Sequence, residues 1–247
     1  APALAAGNSV ILKPAEQTPL SALLLAKIFA EAGVPDGVFN VVNGFGEDAG
    51  KALALHMDVD KIGFTGSTEV GKLMMVYSGQ SNMKKVTTEC GGKSPQIIMP
   101  DADIDAAVTY AVNGIFTNQG EVCSAGSRLL VHDSIYDDFV SRFASEAKRF
   151  QPGDPLDPAT TMGPLVTREQ QKRVLGYIDT AKNEGGEVVI GGGSPAGLEA
   201  GNYVQPTLFK GVTEKMTIAR EEIFGPVGAA IRFKNYDEAI AIANNSI

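Results

Sequence analysis

An α/β fold built on parallel strands is predicted by three features of the 247-residue sequence. Short β-branched runs alternate with amphipathic stretches through residues 1–90. Glycines stand where a strand gives way to a helix, as at Gly44 and Gly46. The pattern breaks at Gly91-Gly92 and then resumes. Alternation of this kind indicates a parallel sheet wrapped by helices, because parallel neighbours need a long crossover connection.

Ser9-Val10-Ile11-Leu12 reads as a buried strand. Thr18 is a good N-cap with Pro19 at the first helical position, and Leu20, Leu23, Leu24 and Ile28 recur at helical spacing until Gly33-Val34-Pro35 stops them. Val38 to Val42 is the next strand and Glu47 to Leu55 a second helix. Lys61 to Phe64 is a third strand, followed by a helix from about Thr68 to Tyr77 and a fourth strand, Lys85 to Thr87. Beyond the glycine break come a strand at Gln96 to Ile98, a helix over Ile104 to Phe116 and another over Ile135 to Phe150. Gln151 to Pro158 is loop. Thr167-Arg168-Glu169-Gln170 fits a capping box opening a helix to Asn183. Val188 to Ile190 and Val227 to Phe233 read as strands, and Asp237 to Ala243 as the last helix.

Composition narrows the function classes. Net charge is −8, which argues against a nucleic-acid surface. No run of eighteen apolar residues exists, and Lys27 interrupts the most apolar stretch, so no membrane span is expected. There are two cysteines, Cys90 and Cys123, a sparse count that fits a reducing, cytoplasmic compartment. His56 and His132 are isolated, and no metal site is expected. The absence of an initiator Met and the mid-pattern ending at Asn244-Asn245-Ser246-Ile247 point to a piece of a longer chain.

Two glycine motifs compete for a nucleotide. Gly44-Phe45-Gly46-Glu47-Asp48-Ala49-Gly50 follows a strand and opens a helix, but its spacing departs from the dinucleotide fingerprint, and the acidic residue expected about twenty positions on is absent. It reads equally as a tight turn. Gly66-Ser67-Thr68-Glu69-Val70-Gly71-Lys72-Leu73 matches a phosphate loop up to Leu73, which stands where a Mg²⁺-binding hydroxyl belongs. Glu69 adds negative charge in the same loop. What survives is a helix N-terminus with free N–H groups and the Ser67 hydroxyl, suited to a pyrophosphate.

The chain resembles the aldehyde dehydrogenase superfamily, NAD(P)-dependent enzymes that oxidise aldehydes to acids. The matching segments are Ala1 to Asn8, Lys13-Pro14-Ala15-Glu16-Gln17-Thr18-Pro19, Phe64-Thr65-Gly66-Ser67 and Glu89-Cys90-Gly91-Gly92-Lys93-Ser94-Pro95. Gly120-Glu121-Val122-Cys123, Gly153-Asp154-Pro155 and Glu221-Glu222-Ile223-Phe224-Gly225-Pro226 continue them in order. The resemblance implies a Rossmann-like parallel sheet with flanking helices followed by a second α/β catalytic domain. It implies a dinucleotide-binding domain over 1–91, incomplete at its N-terminus, and a catalytic domain over 92–247, incomplete at its C-terminus. Lys13 and Glu16 would hold the adenosine ribose, with Gly46, Gly66 and Ser67 completing that part of the cofactor site and Ser67 on the pyrophosphate. Glu222 would hold the nicotinamide ribose, and Phe224 would lie beside the nicotinamide. A carboxylate at Glu16 accepts ribose hydroxyls but repels a 2′-phosphate, which favours NAD over NADP.

By the same resemblance Cys123 is the nucleophile and Glu89 the base. A free thiol has a pKa of about 8.5, so something must take its proton. The thiolate adds to the aldehyde carbonyl, and hydride loss leaves a thioester that a Glu89-activated water hydrolyses. The Cys123 backbone N–H would be one oxyanion donor. Glu89 favours hydrolysis over transfer to a thiol, so the implied product is the acid. Cys90 reads as a small buried hydrophobe. Thr88 and Glu121 depart from the commoner family residues. The implied parent is a homodimer or homotetramer acting on a small-molecule aldehyde, and the isolated segment is expected to be poorly stable and nearly inactive. Two alternatives stay open: a cofactor-binding or structural protein of this fold without turnover, and a phosphate-loop nucleotide binder.

Overall fold

Each strand before the glycine break pairs with the strand one crossover away. In the computed structural model, which describes residues 1–246, a single helical turn, α1 (Pro2–Ala5), precedes β1 (Val10–Leu12). Helix α2 (Leu20–Glu31) then returns the chain to β2 (Phe39–Val41), parallel to β1. The chain continues through α3 (Lys51–Leu55), β3 (Lys61–Thr65), α4 (Thr68–Gly79) and β4 (Lys85–Glu89), with β4 parallel to β3. The four strands form two separate hydrogen-bonded pairs rather than one continuous ladder.

Two local departures from the sequence reading have clear causes. Helix α2 begins at Leu20, and its cap position is Pro19 with no side-chain cap bond. The Thr18 N–H instead closes a turn onto the Ala15 carbonyl at 3.2 Å. The helix expected from Glu47 opens as a wide turn over Gly46–Gly50, with the Asp48 and Gly50 N–H groups both reaching the Phe45 carbonyl, and only then tightens into α3. Gly44 is needed there because a Cβ would come within 2.7 Å of the Ala49 Cβ. Helix α4, by contrast, starts as its sequence demands: the Ser67 side chain caps it by accepting the Val70 N–H at 3.2 Å.

The chain separates into two compact units, the first ending at Cys90 and the second beginning at Gly91. The second unit holds a five-stranded sheet in the order β5-β6-β9-β8-β7. Its strands are β5 (Pro95–Ile98), β6 (Arg128–His132), β7 (Glu187–Ile190), β8 (Thr207–Lys210) and β9 (Val227–Phe233). Four run parallel, and β7 is an antiparallel edge with an irregularity between Val188 and Ile190. The helices are α5 (Ile104–Phe116), α6 (Tyr136–Glu146), α7 (Arg168–Asn183), the single turn α8 (Thr217–Arg220) and α9 (Tyr236–Asn244).

Two apolar clusters flank this sheet. Leu129, Val131 and Leu208 join α5 and α6, while Leu130, Phe209, Ala229 and Ile231 join α7 and α9. Successive residues of one strand enter opposite clusters, as the two-residue period of a strand requires. Strands β6 and β8 escape the sequence reading for this reason: a short strand buried on both faces is a continuous apolar run, which carries no alternation to detect. Phe116, fully buried, packs edge-on against Phe143 and Phe150 and ties α5 to α6 at the point where the chain leaves toward Cys123.

Candidate functional site

In the first unit the structure brings Lys13, Glu16 and Gly46 together. The Lys13 ammonium donates to the carbonyls of Pro14 (2.7 Å) and Gly44 (3.0 Å) and lies 3.5 Å from the Glu16 carboxylate. Glu16 is held below the ordinary carboxylate range, first by its own backbone N–H and then by Lys13 and the Gly46 N–H. An acid in this position stays ionised at neutral pH. It is also exposed, so its oxygens remain open to a ligand.

Gly66, Ser67 and Glu89 form a second group. Thr65 is in register with Glu89, and the Gly66 N–H donates to the Glu89 carbonyl at 3.1 Å. The exposed Glu89 side chain therefore closes β4 beside the start of α4. At Gly66 a Cβ would lie 2.6 Å from the Phe64 ring, so any side chain there would have to displace that ring. Because the Ser67 oxygen accepts from Val70, the hydroxyl proton is left to donate outward. Cys90 is half-buried; its thiol reaches the Ser67 carbonyl at 3.9 Å, and its sulfur would meet a Cβ at Gly71 at 2.9 Å.

Cys123 belongs to the second unit and is a free, exposed thiol. The chain reaches it from α5 through Asn118 and Gln119, both at positive φ (51° and 57°), and Gly120 at 72°. At Gly120 a Cβ would overlap the Gly225 carbonyl, so this turn is seated directly on the Glu221–Pro226 segment. After Cys123, Ala125 N–H returns to the Val122 carbonyl and Gly126 N–H to the Gly114 carbonyl. The Gln96 amide bonds the Gly126 carbonyl at 2.7 Å. Among the described residues the Cys123 backbone N–H has no protein acceptor and is free to donate. Rigid backbone on both sides with a free thiol and a free N–H between them is the arrangement nucleophilic attack on a carbonyl requires.

Glu121 and Gln119 clamp this turn to the loop before α7. The Glu121 carboxylate accepts the Val166 N–H with both oxygens at 3.2 Å, and the Gln119 side-chain oxygen accepts the Gly163 N–H at 3.3 Å. Burial pushes the Glu121 carboxyl above its ordinary value, with the Val166 N–H opposing. Replacing it by Gln keeps an acceptor for Val166, whereas Glu121→Ala leaves that exposed N–H to water. We expect Glu121→Ala to cost about 0.5–1.5 kcal/mol in urea unfolding and Glu121→Gln less.

The segment bearing Glu222 and Phe224 is fixed by a side chain that sequence reading assigned elsewhere. Thr167 does cap α7, accepting the Gln170 N–H at 3.1 Å, but Gln170 does not reciprocate. Its amide donates to the carbonyls of Phe224 (2.7 Å) and Ile223 (3.1 Å). Those bonds hold Phe224 at a φ of 58°, unusual for a bulky residue, with its ring partly exposed. Glu222 accepts the Gly92 N–H at 3.3 Å, and at Gly91 a Cβ would overlap its carboxylate. Lys93, next in the chain, is only 7 % exposed. Burial, together with nearby Arg128, lowers its pKa to about 7, and Glu222 opposes that shift.

Lys93 has a thermodynamic consequence. Between about 7 and 10.5 the unfolded chain holds a proton at this lysine that the folded chain does not. Stability therefore rises with pH through that window, by up to about 1.4 kcal/mol per unit, and the burial cost is full below it. Urea unfolding at pH 7 and 8 should show a gain of roughly 1 kcal/mol that Lys93→Met removes. Lys93, Gln119 and Gln170 were all missed as site residues. Only Lys93 carried a signal, its place inside the Glu89–Pro95 motif.

Comparison with known proteins fits this arrangement. The model described as the aldehyde dehydrogenase family matches residues 1–247. The chain is 52 % identical over 244 residues to "Aldehyde dehydrogenase, cytosolic 1" of Rattus norvegicus, covering 99 % of this chain and 48 % of that protein. The crystal structure of the aldehyde dehydrogenase KauB from Pseudomonas aeruginosa superposes with a TM-score of 0.97 at 54 % identity, over 99 % of this chain and 50 % of that one. An indole-3-acetaldehyde dehydrogenase solved with NAD+ gives a TM-score of 0.97 at 51 % identity, again over 99 % and 50 %. The chain thus spans about half the length of the relatives it matches.

Proposed function

The chain belongs to the aldehyde dehydrogenase family, and from that membership we propose that it supplies the nucleotide-holding and nucleophile-bearing parts of an enzyme that oxidises an aldehyde to a carboxylic acid with NAD+. The observation that carries this reading is Cys123, an exposed thiol with an unpaired backbone N–H on a turn fixed at both ends. In it, residues 1–91 hold the adenosine and pyrophosphate part of the dinucleotide and supply Glu89, and residues 92–247 carry the nucleophile together with Glu222 and Phe224.

The residues fit the cofactor class. Lys13, Glu16 and Gly46 offer a cation and an ionised acid where a ribose diol needs a donor and an acceptor. Gly66 and Ser67 offer a close backbone approach and an outward hydroxyl at a helix start, which suits a pyrophosphate. Glu222 would take the second ribose, and Phe224, held at positive φ, would present its ring beside the nicotinamide. The ionised Glu16 disfavours a 2′-phosphate and supports NAD rather than NADP. When bound, NAD+ supplies the hydride acceptor.

The chain's own residues do the remaining work. Cys123, as the thiolate left when its proton passes to water, adds to the aldehyde carbon, and its backbone N–H receives the developing oxyanion, stabilising the tetrahedral thiohemiacetal. Once the thioester stands on Cys123, Glu89 takes a proton from water, which attacks and releases the acid. Assay of the full-length protein against an aldehyde panel, following NADH fluorescence, tests the reading. NADH formation that requires Cys123 supports it. Rapid iodoacetamide labelling of Cys123 without turnover on any aldehyde would instead favour a cofactor-binding protein of this fold.

A further inference from the structure

Among the described residues, Lys93 Nζ is the only buried side-chain nitrogen or oxygen without a hydrogen-bond partner. Burying an amine in this way carries a heavy desolvation cost, so the position calls for an explanation. Two cations meet here. Arg128, itself 2 % exposed, spends its guanidinium on the carbonyls of Lys93 (2.7 Å), Ile242 (3.0 Å) and Ala243 (2.9 Å). It meets no carboxylate within ion-pair distance among the described residues. The acid beside this stretch is Glu222, which accepts the N–H of Gly92, the residue before Lys93.

Glu222 is lightly anchored. One of its oxygens receives the Gly92 N–H at 3.3 Å, and its carboxylate rests directly against Gly91, where any Cβ would displace it. A single long bond does not restrain a carboxylate on a flexible stem. A buried positive charge on Lys93, the residue that follows the Gly92 N–H donor, is weakly screened by water and does. We propose that Lys93 is a positioning residue for Glu222, its buried ammonium keeping the carboxylate folded against Gly91-Gly92 in the pose from which it receives the vicinal diol of a dinucleotide. The proposal rests on the reading of Glu222 as a ribose-holding residue. It explains why an amine is left unpaired: a direct ion pair would occupy an oxygen that the diol needs.

A double-mutant cycle in the full-length protein tests this, with Lys93→Met, Glu222→Gln and their combination, read by NADH affinity and by the burst rate of hydride transfer. Lys93→Met should weaken NADH binding about tenfold when Glu222 is present and by less than about twofold in the Glu222→Gln background. Equal losses in both backgrounds would make Lys93 a purely structural residue and overturn the proposal. If Glu222→Gln alone changes neither readout, the ribose-holding reading fails instead, and the two failures are distinct. Should Lys93→Met not fold, the wild-type pH profile decides. NADH affinity should fall as pH rises past about 7 and the Lys93 charge is lost, with Arg128 charged throughout and Glu222 the responding acid. That dependence should vanish in Glu222→Gln, and a flat wild-type profile overturns the proposal.

Discussion

Cys123→Ala in the full-length protein is expected to reduce aldehyde oxidation by roughly 10⁴-fold or more, because in the proposed cycle the covalent adduct forms on that thiol. Cys90 cannot substitute. It is half-buried, its thiol is turned to the Ser67 carbonyl, and its sulfur is packed on Gly71. NADH affinity should survive, since Cys123 lies in none of the cofactor clusters. Glu89→Gln is expected to act on the other half of the cycle. It should slow acid release by about 10²- to 10⁴-fold while leaving the first burst of NADH largely intact. Rapid-quench detection of acyl-enzyme separates the two: a thioester should accumulate in Glu89→Gln and be undetectable in Cys123→Ala. Unchanged acid release in Glu89→Gln would remove the carboxylate from the mechanism.

Gly120→Ala is expected to be the most damaging single-methyl change near the thiol. The residue sits at a φ of 72°, which alanine tolerates poorly, and its new Cβ would overlap the Gly225 carbonyl and lie 2.9 Å from the Ile115 carbonyl. Neither neighbour is a flexible side chain that can swing aside. Left-handed strain of about 1–2 kcal/mol and overpacking of about 1–3 kcal/mol act together, for a loss of roughly 2–5 kcal/mol in urea unfolding. Surviving folded protein should also show a lower kcat, because the turn that aims Cys123 is seated on the Glu222–Phe224 segment. Gly126→Ala gives a milder comparison. Its contacts are with the Gln96 side chain rather than backbone, so the cost is displacement of that side chain and of its bond to the Gly126 carbonyl.

Much of this architecture was legible in sequence order. Helix α5 runs over Ile104–Phe116 as its apolar period demands, with Asp103 capping it through Ala106 N–H. Ser67 and Thr167 cap the helices that follow them. What failed were features with no local signature. Strands β6 and β8 are covered on both faces, so their residues do not alternate. Thr18 bonds backward rather than forward. Gln170 looked like half of a capping box, yet its amide crosses 54 positions to the Phe224 carbonyl.

The same division runs through the site. Residue types, read through the family resemblance, pointed to the chemistry on offer: a thiol at Cys123, acids at Glu16, Glu89 and Glu222, a cation at Lys13 and a glycine turn at Gly66-Ser67. Those are properties of side chains and of neighbours within a few bonds. Only the tertiary structure decided that Lys93 is buried without a partner, that Glu222 rests on Gly91-Gly92, and that Glu121 spends its carboxylate on Val166. Burial and long-range hydrogen bonding depend on which distant segments meet. A charge state or a clamp set by residues more than a hundred positions away leaves no trace in local sequence.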